Sequence, residues 1–148
     1  MSIEVRLEPA LFTKLKNDSD INGMVSTRIS PVALDQELSL PAIMYEITGS
    51  DPKRNLEGRN NLIQSDVDIY CIAETYSDAT KLGEYVRRSM SGGRGNVFIN
   101  DDGLVNVRIL GITHTDDRIE YSPPVDGGRT GTYTRRFSFL ISYRPEDS

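Results

Sequence analysis

The sequence predicts an α+β fold: a mostly antiparallel sheet with two helices packed on one face and a long C-terminal β-hairpin. Three observations carry this. Ile63, Val67, Ile69, Cys71 and Ala73 share one parity of an eleven-residue run in which Gln64, Asp66 and Asp68 hold the other, the two-residue period of a half-buried strand. Directly after it, Ala79, Leu82, Gly83, Val86 and Met90 fall at helical spacing behind Thr75, with Asp78 in the position of a capping box. Two long extended runs, 104–121 and 130–144, then flank a turn-rich segment at 122–129. Helices and strands do not alternate strictly, so a parallel βαβ arrangement is disfavoured.

Taken in order, residues 2–17 predict the first helix. Ile3, Leu7, Leu11 and Leu15 lie four apart, and Pro9 fits a first turn, where its missing N–H is not needed, or else kinks a longer helix. Asn17-Asp18-Ser19-Asp20 reads as a stop-and-cap cluster, and Ile21 to Val25 as one turn ended by Gly23. Thr27 to Leu34 is expected to be extended and near an edge because of Pro31. Pro41 to Gly49 predicts a strand with Ile43, Tyr45 and Ile47 on one face, and Ser50 to Asn61 a mobile loop. The central strand spans 62–73 and the second helix runs from about Thr75 to Met90, where Gly92-Gly93-Arg94-Gly95 stops it. Val97 to Ile99 is a short strand. Alternation is clean over Val105, Val107 and Ile109 and fades beyond Gly111, whereas Tyr133, Phe137, Phe139, Ile141 and Tyr143 keep one face throughout.

Length and composition set bounds. A chain of 148 residues fits one domain, 1–148, with 145–148 expected to fray. Its apolar share, 37% without glycine, implies a modest core that neighbouring subunits help to complete. A net charge of −5 argues against a dedicated nucleic-acid binder. One cysteine excludes an intrachain disulfide and a thiolate metal cluster. No apolar run approaches a membrane span, and the start of the chain lacks a signal-peptide pattern, so the expected setting is the cytosol, or assembly there into a larger particle.

Chemistry finds little support. His114 is the one histidine, lies in a polar stretch beside Thr113, Thr115 and Asp116, and reads as a surface residue without a nucleophile to serve. Cys71 falls on the apolar face, where a thiol is a small hydrophobe. Asp66 and Asp68 share a strand face, but no histidine or third carboxylate joins them at metal-ligand spacing, so a solvated or inter-subunit face is preferred. Gly92-Gly93-Arg94-Gly95 follows a helix instead of preceding one and lacks a P-loop lysine. No catalytic residue, metal or cofactor is expected. The remaining features are charge clusters: Lys53, Arg54 and Arg59 in one loop, Arg87, Arg88 and Arg94 near the helix end, and Arg135-Arg136 on the last strand. Solubility and ion pairing are the plain reading; contact with an acidic neighbour, or passing contact with DNA, is the functional one.

The chain resembles the tail-completion, or tail-terminator, family of long-tailed bacteriophages and related tail-like particles. The resemblance rests on an N-terminal helix around Leu7 to Leu15, the step Arg28-Ile29, the strand Leu40-Pro41-Ala42-Ile43-Met44-Tyr45, and the alternating strand Ile63 to Ala73. It continues through the cap Thr75 to Asp78 and a helix with Ala79 and Leu82 on its stripe. It covers roughly residues 3–144 and is most specific over about fifty of them. It implies a structural virion protein, not an enzyme, that forms a homo-oligomeric ring, a hexamer in the family. Such a ring caps the head-proximal end of the tail tube, ends tube growth, and docks the head connector. DNA passes through the lumen without sequence-specific binding, and no membrane is involved. The residues expected at subunit or partner interfaces are Lys53, Arg54, Arg59, Gln64, Asp66, Asp68, Arg135 and Arg136. The alternatives are another neck, head–tail joining or tail-tube protein and, from a different class, a small ligand-binding or enzymatic α+β domain.

Overall fold

Strands that alternate in polarity must gather their apolar side chains on one side of a sheet, and helices with one apolar stripe must lie against that side. The computed structural model shows this arrangement and describes residues 7–26, 28–31, 40–52, 63–91, 97–98, 107–123 and 131–145. The elements are α1 (Leu7–Lys16), α2 (Ser19–Val25), β1 (Ile29–Pro31), β2 (Ala42–Pro52), β3 (Ile63–Ala73), α3 (Tyr76–Ser91), β4 (Val97–Phe98), β5 (Val107–Ser122) and β6 (Thr132–Pro145). The sheet order is β1-β2-β3-β6-β5-β4. Every neighbouring pair is antiparallel except β1 with β2.

The α+β class, the mostly antiparallel sheet and the long β5–β6 hairpin match the sequence expectation; the helix count differs. Residues 19–25 form a helix and not a single turn, because the Asp18 carboxylate accepts from the backbone N–H of both Asp20 and Ile21 and so satisfies the first-turn donors. Gly23 sits inside that helix and does not end it. Pro9 lies in the first turn of α1, where its lack of an N–H does no harm. Thr75 caps α3, its hydroxyl accepting from Asp78 N–H at 3.1 Å. The strand β2 continues through Ser50, Asp51 and Pro52, a stretch the sequence assigned to a loop. The rest of that loop, with Lys53, Arg54 and Arg59, lies outside the described residues, as do the expected strand residues 32–34 and residues 124–129 of the turn expected at 122–129, whose first residue, Ser122, ends β5.

One core lies between the helices and the sheet. Leu11 and Leu15 of α1, Ile21 and Val25 of α2, and Leu82, Val86 and Met90 of α3 are all fully buried. They meet Ile43, Tyr45, Val67, Ile69, Cys71, Ile109, Phe137, Phe139, Ile141 and Tyr143 of the sheet. A fully buried side chain of this kind contributes about 1.5–3 kcal/mol. The polar pair Ser65–Tyr143 sits inside this core, with its hydroxyls 2.9 Å apart. No described helix is long and apolar enough to cross a membrane.

The sheet also explains why alternation faded along β5. Its register shifts between Ile109 and Gly111 and again between His114 and Asp116. Each extra residue swaps the parity of the helix side: Ile109, then Ile112 and His114, then Asp117, Ile119 and Tyr121. No period-two pattern survives two such shifts.

The motif residues Arg28-Ile29 and Leu40 to Tyr45 form one unit. Ile29 pairs with Ile43 in the β1–β2 ladder, and Ile43 N–H donates to the Arg28 carbonyl at 2.9 Å. The Arg28 guanidinium donates to the carbonyls of Pro41, at 2.9 Å, and Met24, at 3.1 Å. It thereby ties the end of α2 to the start of β2, beside the cis Leu40–Pro41 bond. Arg28→Ala releases both carbonyls. It is expected to lower the unfolding free energy by about 2 kcal/mol, read as a lower urea midpoint at unchanged slope.

Candidate functional site

The helix α3 approaches the sheet most closely at Gly83. A methyl group there would stand 2.6 Å from Cδ of Arg135 and 3.2 Å from Phe137. The missing side chain is thus the space in which the Arg135 stem lies. Arg135 is on the helix side of β6, one ladder step from Phe137, and its guanidinium stacks 4.8 Å from the Phe137 ring centroid. Only 13% of its side chain is exposed, so its donors must be used. Nε and one terminal nitrogen grip both oxygens of Asp117 on β5, at 3.1 and 2.9 Å. It also donates to Glu84 Oε1, at 3.2 Å, and to the Thr80 carbonyl, at 3.2 Å, on α3. Arg87 holds the other oxygen of Glu84 at 2.8 Å.

This chain of charges joins three elements. The Arg135 hydrogen bonds hold the Asp117 carboxyl below the usual carboxylate range, against partial burial that acts the other way. Glu84 is lowered chiefly by its hydrogen bond from Arg87, and further by Arg135. Arg135 is raised in turn, first by Asp117.

Above the clamp lies a cleft of about 300 Å³ between the start of α3 and β5, lined by Tyr76, Thr80, Glu84, Asp117, Ile119 and Arg135 among others. Three large apolar side chains among the described residues are well exposed: Tyr76 at 57%, Ile119 at 38% and Tyr121 at 54%. Tyr76 and Ile119 line the cleft, and Tyr121 lies beside Tyr133 next to it. Tyr76 meets Tyr133 edge-on at 5.8 Å, and Tyr121 lies 4.9 Å from Tyr133. Gly131 leaves the room that Tyr121 occupies, since any Cβ there would collide with its ring and hydroxyl. Tyr121 is therefore confined between Gly131 and Tyr133.

The opposite, helix-free face of the sheet carries four of the five described residues singled out from sequence. Gln64 donates to Ser142 Oγ at 3.1 Å. Asp66 is exposed and stands beside Gly49, its cross-strand partner. Asp68 is only 6% exposed, and both its oxygens are engaged within the chain, by Arg136 at 2.9 Å and Ser138 at 2.7 Å. Arg136 also lies over the Tyr70 ring, at 5.6 Å. Arg135 and Arg136, one cluster in the sequence, thus point to opposite faces and do different work. Their separation was available from parity, because Phe137 marks the apolar side. Tyr76 gave no such signal: it comes near Ile119 and Tyr133 only when α3 is laid across β6.

The groups considered for chemistry are engaged structurally. Burial pushes the Cys71 thiol up to about 12, so it is no thiolate near neutral pH. His114 is exposed but stacks on Phe139, with ring centroids 5.1 Å apart. Among the described residues no group of three or more His, Cys, Asp or Glu side chains converges as a metal site. The arrangement supplies exposed aromatic surface, strand edges and fixed charge, which are means of binding.

The sequence matches the model of the family described as tail completion protein gp17 over residues 9–121. The fold is similar to that of a chain in the structure "Virion of native gene transfer agent (GTA) particle", with a TM-score of 0.64 and 14% identity. The match covers 93% of this chain and 94% of that one. No curated protein matches the sequence.

Two outcomes follow from the clamp. Gly83→Ala raises helix propensity by about 1 kcal/mol, yet it is expected to destabilise the protein by about 1–2 kcal/mol net, because the new methyl displaces Arg135. In an Arg135→Ala background that penalty should vanish, and a double-mutant cycle in urea measures the difference. Asp117 and Glu84 have folded-state values below their unfolded ones. Their contribution is therefore present above the ordinary carboxylate range and lost as pH falls through the depressed values. Thermal stability is expected to drop below about pH 4, and Asp117→Asn should make that drop shallower.

Proposed function

The chain belongs to the tail completion protein gp17 family, and from that premise we propose that it is a structural component of a phage-type tail, assembled as a homo-oligomeric ring. The ring closes the head-proximal end of the tail tube, stops its growth and offers a docking surface to the head connector. The observation that carries this reading is the family match over residues 9–121. The fold it shares with a chain of a gene transfer agent virion supports it.

The physical character of the subunit suits this work. A protein that ends a polymer needs extended surfaces for neighbours and no reaction centre. The described residues offer an uncovered sheet face, two partly unpaired edges and exposed tyrosines, while the thiol is buried. A net charge of −5 gives phosphates little to hold as DNA passes through a lumen. Binding and shape are thus the work assigned to it, and catalysis is not.

Within this reading, the helix-free face with Gln64, Asp66, Asp68 and Arg136 and the basic run of Lys53, Arg54 and Arg59 belong to contacts with neighbouring subunits or tail proteins. Asp66 is the clean probe of that face. Replacing Asp68 would leave Arg136 and Ser138 without their acceptor and damage the fold itself.

The test adds the purified protein to polymerising tube subunits. Tubes are expected to stop short, with a ring at one end visible by negative-stain microscopy. Continued growth with no bound protein overturns the terminator role. Asp66→Lys should leave thermal unfolding unchanged and reduce ring formation or tube binding; full retention of both removes this face from the contacts.

A further inference from the structure

The helix-free face of the sheet carries more carboxylates than cations. Among the described side chains, the ladder registers place Glu46, Asp66, Asp68, Asp116 and Glu120 on it. Two guanidiniums share the face and both are used: Arg136 holds Asp68 and Arg118 holds Asp116, each at 2.9 Å. Glu46, Asp66 and Glu120 are exposed and have no cation among the described residues. Glu46 stands directly across from Asp68, a like-charge pair that a further cation would relieve. Burial raises the Tyr70 hydroxyl above its ordinary value; Arg136 opposes this, and Asp68, Glu46 and Glu120 add to it. Met44, Tyr70 and Ile72, only partly buried, lie between Glu46 and Glu120.

Residues 53–62 link the end of β2 to the start of β3, and they hold Lys53, Arg54 and Arg59 with Glu57 as the one acid. We infer that this basic segment of one copy docks on the helix-free face of the next. Its three cations meet Glu46, Asp66 and Glu120, and Leu56 lies on Met44, Tyr70 and Ile72. This rests on the ring reading and names the two surfaces that would join its subunits. Each copy gives one segment and receives one, which is the heterologous contact that a rotation turns into a ring.

Charge complementarity argues for this occupant. In a chain of net charge −5, residues 53–62 carry three cations to one acid, with Leu56 between Arg54 and Arg59. The face shows the inverse, three carboxylates without cations around partly exposed apolar side chains. Those carboxylates repel a phosphate backbone, so nucleic acid does not fit the same surface. Reach argues for a second copy. An extended residue spans at most about 3.6 Å, so Arg59, four residues before Ile63, stays within about 14 Å of it. Glu120 shares Thr134 as a ladder partner with Ile72, which lies nine residues along β3 from Ile63 and so about 30 Å away. The gap of about 16 Å that remains is more than an arginine and a glutamate side chain can bridge. The segment of a chain therefore cannot serve that chain's own Glu120, and the cation for it comes from outside.

Charge reversal on each side tests the contact. One variant carries Lys53→Glu, Arg54→Glu and Arg59→Glu; the other carries Glu46→Lys, Asp66→Lys and Glu120→Lys. Each alone is expected to weaken self-association at least about tenfold at unchanged thermal unfolding, read by sedimentation and by ring counts on purified tail tubes. An equal mixture of the two is expected to assemble again, because each reversed segment then meets a reversed face on the other variant. A segment held on its own chain, or on a different tail protein, gains nothing from mixing. Where a triple variant unfolds early, a milder cycle decides: Arg59→Gln and Glu120→Gln together should lose less than the sum of their separate losses. Full assembly by either folded triple variant, a mixture that does not recover, or additive losses in the cycle overturns this contact and leaves the ring reading standing. An unmodified chain that stays monomeric both alone and on purified tail tubes overturns the two together.

Discussion

The contact between Gly83 and Arg135 sets the geometry on which the rest of the surface depends. A helix crossing a sheet rests on its side chains, and the distance is set by whatever lies beneath. Here the missing side chain at Gly83 lets the Arg135 stem pass under α3, and the guanidinium reaches carboxylates on both sides of it. A buried guanidinium without these partners would be strongly unfavourable; with them it is held in one place. Its position fixes the start of α3 relative to β5, and so the opening of the cleft and the spacing of Tyr76 from Ile119 and Tyr121. Arg135 is mostly shielded, while its carboxylate partners and the surface it positions reach solvent.

The sheet is divided by the same logic. Its helix side is filled and closes over Cys71, Phe137 and Phe139. Its other side is polar but not loosely so, because Asp68, Arg136, Ser138, Gln64 and Ser142 bond across β3 and β6. Cross-strand bonds of this kind stiffen a face that no described helix supports. A rigid polar face, a confined Tyr121 and kinked edges describe a subunit that loses little freedom on meeting its neighbours, which favours assembly without a folding step. The register shifts in β2 and β5 kink both strands, which lowers the tendency of a strand edge to pair at random.

Much of this was legible in the residues. The alternation from Ile63 to Ala73, the Thr75 cap and the apolar stripe of α3 are local patterns, and each appears where its period placed it. The step Arg28-Ile29 and the strand Leu40 to Tyr45 could be read as family marks; their joint role, Arg28 holding the carbonyls of Met24 and Pro41, could not. The helix at Ser19–Val25 was hidden because Gly23 resembles a stop, while the cap that secures it comes from one carboxylate, Asp18, serving two N–H groups. Along β5 the pattern was broken in the sequence itself, since two extra residues shift the parity twice.

By itself the sequence determined the class, the order of elements apart from the helix Ser19–Val25, which parity of each regular strand is buried, and the family. These depend on interactions between residues close in the chain, whose spacing is written in the sequence. Only the tertiary structure decided that Arg135 reaches Glu84 on α3, that Asp68 is consumed within the subunit by Arg136 and Ser138, and that Tyr76 joins Ile119 at one cleft. Those relations join residues some forty to seventy positions apart, and they exist because a helix with a gap at Gly83 lies over one particular arginine. Residues that share no local period acquire a common surface only through the packing that brings their elements together.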